Sequence, residues 1–336
     1  MKRILVDMPV ERAGLNRLEA LPGVEVEVIP AGEEARPLPF ELIRDTHVLF
    51  CTFPPANHTD LRALEWVQIA SVGYSQVLDL GLPERRVRAT NARGVFDPAI
   101  AEWTLAMMVN LARDLRGMIR NQERGVWDRA ARFQAEVRGR VVGIWGYGGI
   151  GRATARLAKT FGLTVHVLSR HGVGPRQLTY LVPDTGDPEG VLPDRVFTAG
   201  QELDFLRGLD FLVLAMPQTQ ATTGRIGERE LRALPPTAFV LNPARGPLIQ
   251  EEALLRALRL GWIAGAALDT HYHYPLPAEH PLWRFPNVIL TPHVSGSDHG
   301  PHFLDRMWDV FVQNVRRYLW GVPLLNELTP AELSGH

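Results

Sequence analysis

The sequence predicts an α/β protein with parallel sheets, divided into two domains. Short apolar runs alternate with longer amphipathic segments, the pattern of strands joined by crossover helices. The chain has 336 residues, and at about 150 residues per domain two is the natural count. A glycine-rich turn at residues 146–151 joins an apolar run to a helical stretch, the setting in which such a turn binds a ligand.

The elements follow in order. Residues 3–6, 24–29, 46–50 and 66–71 read as strands, with a helix over 12–21 and proline-rich loops later in the series. Residues 99–120 form the longest helical candidate, apolar at Leu105, Met108, Val109 and Ala112. A second strand series begins near Val137, at 140–145, 164–168, 211–215, 238–241, 263–268 and 288–290. Residues 171–200 hold several glycines and prolines without a period and read as an irregular surface excursion. Residues 303–319 return to helix, with Leu304, Met307, Phe311, Val315 and Tyr318 at core spacing.

Composition narrows the function classes. The 36 basic and 37 acidic residues leave a net charge of -1, which favours neither nucleic acid nor an anionic membrane as partner. All the basic residues except Lys2 and Lys159 are arginine, so any single arginine must be justified by its position. One cysteine, Cys51, excludes an internal disulfide framework and fits a cytoplasmic protein. Asp7 and Glu11 break any signal-type apolar start, and no apolar run reaches the length of a membrane span.

Gly146, Gly148 and Gly151 stand in G-x-G-x-x-G spacing between the strand at 140–145 and a helical segment at 152–161. Gly146 permits a tight turn, Gly148 lets backbone approach a pyrophosphate, and Gly151 lets helix pack on strand. The N–H groups that open the helix, from Gly149 and Ile150 onward, are then free for phosphate. After the next strand, where a carboxylate would read the ribose, the run is Leu168-Ser169-Arg170-His171. The Ser169 hydroxyl and the Arg170 guanidinium suit a 2′-phosphate, so NADP(H) is predicted over NAD(H). Arg152 and Arg176 are weaker candidates for the same charge.

Three later strands end in polar residues. One runs into Asn242-Pro243-Ala244-Arg245-Gly246, the next ends at Asp269, and the last ends in Thr291-Pro292-His293. Ligands of an open parallel sheet bind beyond the carboxyl ends of its strands, so these residues reach the nicotinamide edge. An arginine fork can hold a carboxylate and polarise a neighbouring carbonyl. A histidine can exchange the proton that accompanies hydride transfer. Taken singly, each reads as a turn residue; together they define a site.

With these residues in place, the segment from about Val137 to Gly296 resembles the D-isomer-specific 2-hydroxyacid dehydrogenases. The matching pieces are Gly146 to Gly151, Pro217-Gln218-Thr219 with Thr222, residues 242–246, and Gly265 to Asp269. They continue through His280-Pro-Leu-Trp283, Pro286-Asn-Val288 and Thr291-Pro-His293. Ser71-Val72-Gly73, Asn91 and Ala101-Glu102 extend the likeness over nearly the whole chain. The resemblance implies two Rossmann-like domains around a cleft. The substrate domain would be discontinuous, at 1–97 and 297–336, and the dinucleotide domain would span 98–296. It implies that Arg245 binds the carboxylate and carbonyl of a 2-oxo acid and that His293 is the acid/base. Backbone at Val72 and Gly73 would meet the carboxylate. Pro217, Thr222, Pro243, Ala244, Asp269 and Gly296 would line the cofactor, with Asp269 near the nicotinamide amide. The helix from Ala99 is similar to the one that forms much of the family's dimer contact, so a homodimer is expected.

One position departs from the family. Tyr274 stands where a glutamate normally pairs with the histidine, and the run Asp269-Thr-His-Tyr-His-Tyr274 offers no other carboxylate. Removing such a partner lowers the protonated fraction of an imidazole at pH 7 only about threefold. Lost orientation can cost far more. The Tyr274 hydroxyl can restore orientation but not charge. Reduction is therefore expected to be slower, or optimal at lower pH, than with a glutamate. His271 and His273 could share one face of an extended segment, but two histidines without a third ligand predict no metal. Tyr272 and Tyr274 can shape a pocket for a bulky or apolar acid.

The first reading is an NADP(H)-dependent 2-oxo-acid reductase of the glyoxylate or hydroxypyruvate type. A second is hydride transfer without a histidine relay, as in the related formate dehydrogenases. A third is a nucleotide-sensing or interaction protein with weakened turnover; Arg245 and His293 argue against it, and the missing glutamate argues for it. The cofactor reading has its own test. Arg170→Ala is expected to weaken NADPH binding about tenfold or more, the loss of a charged hydrogen bond, and to leave NADH unaffected in a fluorescence titration. Unchanged NADPH affinity would return Arg170 to surface composition.

Overall fold

The computed structural model describes residues 1–129, 134–170, 172–296 and 300–334. The chain divides into two compact units. The smaller comprises Met1–Phe96, Gln177–Val182 and Asp298–His336, and the larger Asp97–Arg176 and Pro183–Ser297.

In the smaller unit five strands form a parallel sheet: β1 (Lys2–Asp7), β2 (Val24–Val28), β3 (Val48–Cys51), β4 (Trp66–Ile69) and β5 (Arg88–Thr90). Their spatial order is β2-β1-β3-β4-β5. Helices α1 (Arg12–Glu19) and α2 (Phe40–Ile43) connect the first strands. Strands β3 and β4 are buried throughout, as a sheet covered on both faces demands.

The larger unit opens with two helices, α3 (Asp97–Ala112) and α4 (Leu115–Glu123). The single helix expected over 99–120 is interrupted because Asp114 takes a left-handed conformation and its carboxylate accepts from the Gly117 N–H, starting a new helix. Strand β6 (Val141–Trp145) leads into α5 (Gly149–Thr160), then β7 (Thr164–Leu168) and β8 (Arg195–Phe197). Helix α6 (Glu202–Leu206), β9 (Phe211–Leu214), α7 (Glu228–Ala233), β10 (Phe239–Asn242), α8 (Glu251–Leu260), β11 (Gly265–Leu268) and β12 (Val288–Leu290) complete it. All seven strands are parallel, in the order β12-β11-β10-β9-β6-β7-β8. From β6 the chain runs outward to β8 and then returns to the other side of β6 at β9. The carboxyl ends of β6 and β9 therefore flank the switch point where such sheets bind ligands.

The last helices, α9 (Pro301–Leu319) and α10 (Pro330–Leu333), belong to the smaller unit. There α9 buries Met307, Trp308, Phe311 and Val315, and the Phe311 ring stacks on Phe50 of β3 at 4.1 Å between centroids. Among the described residues no helix is long and apolar enough to cross a membrane.

The excursion between β7 and β8 is irregular, as expected, but it is not simply a surface segment. Tyr180 is buried in the smaller unit's core, and its N–H donates to the Asn326 side chain at 3.1 Å. Gly94 makes this packing possible: its φ is +91°, and a Cβ there would strike the Tyr180 carbonyl oxygen. In the larger unit Asp187 is buried and accepts from the N–H groups of Gly190, Val191 and Leu192. It also accepts from the Tyr147 hydroxyl at 2.6 Å. The buried Arg152 guanidinium donates to the carbonyls of Tyr147, Gly174, Asp187 and Pro188. The excursion is thus fastened to the glycine turn between β6 and α5.

Burial works against the Asp187 carboxylate, but the Tyr147 hydroxyl, the Leu192 and Val191 N–H groups and the Arg152 charge hold its pKa below the ordinary range. A carboxyl depressed on folding stabilises above its unfolded pKa of about 3.9, and that stabilisation is lost as pH falls through the lower folded value. Asp187→Asn is therefore expected to unfold at lower urea than wild type at neutral pH, by about 1–3 kcal/mol. The gap should narrow below about pH 4; a gap independent of pH would show that the charge is not responsible.

Candidate functional site

Every residue singled out in the later strands lies in the larger unit, at the carboxyl edge of its sheet. The glycine turn follows β6. Gly146 has φ +104°, and a Cβ there would lie 2.7 Å from the Ala215 carbonyl, so only glycine fits. A Cβ on Gly151 would run into the Gly146 carbonyl, and one on Gly149 into the Asp97 carboxylate. Gly148 is different: nothing lies within 4 Å of where its Cβ would be. Gly148 also begins α5 with no side-chain cap, and the first turn holds no acid. An open surface over an uncapped helix N-terminus, with Ile150 half-buried beside it, fits a dinucleotide pyrophosphate.

Beyond β7, the Ser169 N–H donates to the Phe197 carbonyl at 3.0 Å, and Ser169 itself is half-buried. Arg170 is exposed, and its guanidinium has no partner among the described residues. His171, next in the run, lies outside them. Arg152 is not available to a 2′-phosphate because its donors already serve four carbonyls. Beyond β9, Pro217 is exposed, and the Thr222 hydroxyl closes a turn by donating to the Pro217 carbonyl at 2.7 Å and accepting from the Thr219 N–H.

The turn after β10 is shaped by Asn242. Its side-chain oxygen accepts from the N–H groups of Ala244 and Arg245 at 3.1 and 3.2 Å, and its amide donates to the Arg245 carbonyl at 2.8 Å. Pro243 and Ala244 are buried, whereas Arg245 is exposed and rests one guanidinium nitrogen on the Ala244 carbonyl. The clamp presents the arginine head at the rim of the sheet.

Asp269, at the end of β11, is fully buried. Its carboxylate accepts from the hydroxyls of Thr291 and Ser295, both at 2.6 Å, and from the N–H groups of Val294 and Ser295 at 2.9 and 3.0 Å. The expected contact with a nicotinamide amide thus sits beside a second task, which is to organise the loop after β12. Within that loop His293 is exposed, in a left-handed conformation at φ +59°. Its N–H donates to the carbonyls of Asp269 and Thr291 at 2.8 and 3.0 Å. Gly296, half-buried, follows Ser295.

Tyr274 reaches His293 with its ring rather than its hydroxyl. The ring centroids are 5.7 Å apart at 53°, while the hydroxyl accepts from the His271 N–H at 3.3 Å. The Tyr274 hydroxyl therefore does not orient the imidazole as expected from sequence. Tyr272 is partly buried against the core that includes α8, and burial raises its pKa. His271 and His273 do not share a face, because His271 is buried and His273 is exposed. Val72 and Gly73 lie in the smaller unit after β4. Their carbonyls accept from Asn91 and Ser71, and among the described residues nothing accepts from their N–H groups.

Sequence reading missed Asn242, Ser295 and His271 as organisers of the site. Their spacing carries no signal of its own; each acts through a fold that brings separate strand ends together.

A family described as D-isomer specific 2-hydroxyacid dehydrogenase, NAD binding domain, matches residues 105–295. The glyoxylate reductase of Thermofilum pendens is 30% identical over 304 residues, covering 88% of this chain and 85% of its own. That of Thermococcus gammatolerans is 34% identical over 311 residues, covering 89% and 87%. Among solved structures, a D-isomer specific 2-hydroxyacid dehydrogenase from Xanthobacter autotrophicus in complex with NADPH and MES aligns over 99% of each chain. Its TM-score is 0.76 at 27% identity.

Asp269→Ala strands four donors in a dry site. The expected cost is about 3 kcal/mol or more in urea unfolding. Increased proteolysis within residues 291–296 should accompany it; an unchanged midpoint would contradict the buried role.

Proposed function

The chain belongs to the D-isomer specific 2-hydroxyacid dehydrogenases, and from that premise we propose that it reduces a small 2-oxo acid of the glyoxylate type with NADPH. The observation that carries this is the convergence of Arg245, Asp269 and His293 on the sheet edge that also bears the glycine turn. The larger unit is read as the dinucleotide domain and the smaller as the substrate domain.

When bound, NADPH supplies the hydride that forms the new C–H bond at C2 of the acid. The Arg245 fork holds the carboxylate and draws charge toward the C2 oxygen. As the carbonyl π pair collapses onto that oxygen, the His293 imidazolium donates the proton that completes the hydroxyl. Backbone N–H groups of residues 148–151 hold the pyrophosphate, with Pro217, Thr222, Pro243, Ala244 and Gly296 against the remaining cofactor. Ser169 and Arg170 hold the 2′-phosphate, and NAD(H) is the alternative cofactor. The buried Cys51 suits a reducing cytoplasm.

A steady-state assay of NADPH oxidation with a panel of 2-oxo acids tests the proposal. No turnover between about pH 5 and 8, despite NADPH binding, would overturn it. Arg245→Ala and His293→Ala should each lower kcat/KM by at least about a hundredfold.

We also propose a homodimer formed through the α3–α4 limb. Helix α4 buries none of its residues, and Leu115, Met118 and Ile119 are 39%, 36% and 48% exposed. Trp127, just beyond it, is 91% exposed. Introducing charge at Met118 and Ile119 together should yield monomers in light scattering; a dimer that persists would place the contact elsewhere.

A further inference from the structure

The buried imidazole of His271 has no part in the chemistry above, yet His271 touches two of the groups that lie against His293, Thr291 and Tyr274. His271 is 6% exposed, and its Nε2 lies 2.8 Å from the Thr291 carbonyl oxygen. A carbonyl only accepts, so Nε2 carries the proton. Its Nδ1 is buried and has no hydrogen-bond partner among the described residues, as suits the bare nitrogen of the neutral ring. The Thr291 carbonyl that His271 engages also accepts from the His293 N–H. The His271 N–H holds the hydroxyl of Tyr274, whose ring packs on the His293 ring. On its other side, the His271 backbone lies against Gly246, where a Cβ would come within 2.5 Å of the His271 carbonyl. One residue therefore ties together the Arg245 turn, Tyr274 and the His293 loop.

His293 needs such support because a left-handed backbone at a non-glycine residue persists only where its surroundings hold it. Asp269 holds the loop from the side of Ser295; His271 holds it from the side of Thr291.

We propose that His271 is a positioning residue for His293, locked as the Nε2–H tautomer and acting through the Thr291 carbonyl and the Tyr274 ring. This rests on the reading of His293 as the acid/base. The test compares wild type, His271→Ala and His271→Gln, whose amide can donate to the same carbonyl. In turnover, His271→Ala should lower kcat by about ten- to a hundredfold, the scale of a misplaced catalytic group, with NADPH affinity unchanged. His271→Gln should recover most of that loss. In the cofactor-free protein, the Cε1–H resonance of His293, assigned with His293→Gln, should shift in His271→Ala and return in His271→Gln. Nitrogen-15 spectra of wild type should show His271 protonated at Nε2. A protonated Nδ1, or a His293 resonance indifferent to His271→Ala, overturns the proposal. If wild type reduces no 2-oxo acid, the reaction assignment fails, and the resonances still decide the positioning claim. If His271→Ala does not fold, the tautomer and the His271→Gln resonance decide it.

Discussion

A carboxylate sealed away from water must find its partners inside the protein, and Asp269 finds all four donors in one short loop. That requirement shapes the end of the sheet. It draws the hydroxyls of Thr291 and Ser295 and the N–H groups of Val294 and Ser295 to one carboxylate and leaves His293 turned out to solvent in a left-handed conformation. The Asp269 carbonyl adds a bond to the His293 N–H. A residue expected to serve the cofactor thus also builds the platform for His293. Losing it would disturb two functions through one cavity of unpaired donors.

The glycine turn is held from the opposite side of the sheet by a comparable device. Tyr147, lodged between Gly146 and Gly148, reaches Asp187, and Arg152 stacks on its ring at 4.9 Å while gathering carbonyls from the excursion. Rigid support matters here because a turn that presents only backbone N–H groups has no side chains to adjust its shape. The excursion between β7 and β8 is irregular in backbone but densely bonded. That explains how a segment rich in glycine and proline can be ordered without helix or strand.

Much of this was legible in the sequence because strong local rules applied. The glycine spacing, the alternation of strands and helices, and the polar residues that end β10, β11 and β12 each carry a physical meaning within a short window. Strands β5 and β8 escaped notice because each is three residues long and opens on an arginine, without the unbroken apolar run that marks the equally short β12. The break between α3 and α4 was hidden because Asp114 fits a helical pattern until its backbone turns left-handed. The part of the excursion that returns to the smaller unit was hidden too, since the burial of Tyr180 depends on Asn326, far along the chain.

The sequence by itself determined the parallel α/β class, the glycine turn and the candidate arginine and histidine, because periodicity and turn chemistry are local properties. The absence of a glutamate at position 274 was also plain from sequence alone. What stands in for it was not. Only the tertiary structure decided that Tyr274 offers His293 a ring, that its hydroxyl turns to His271, and that His271 reaches Thr291. Those contacts join the ends of separate strands, and the pairing of strand ends is fixed by the packing of the whole sheet, not by the residues nearby.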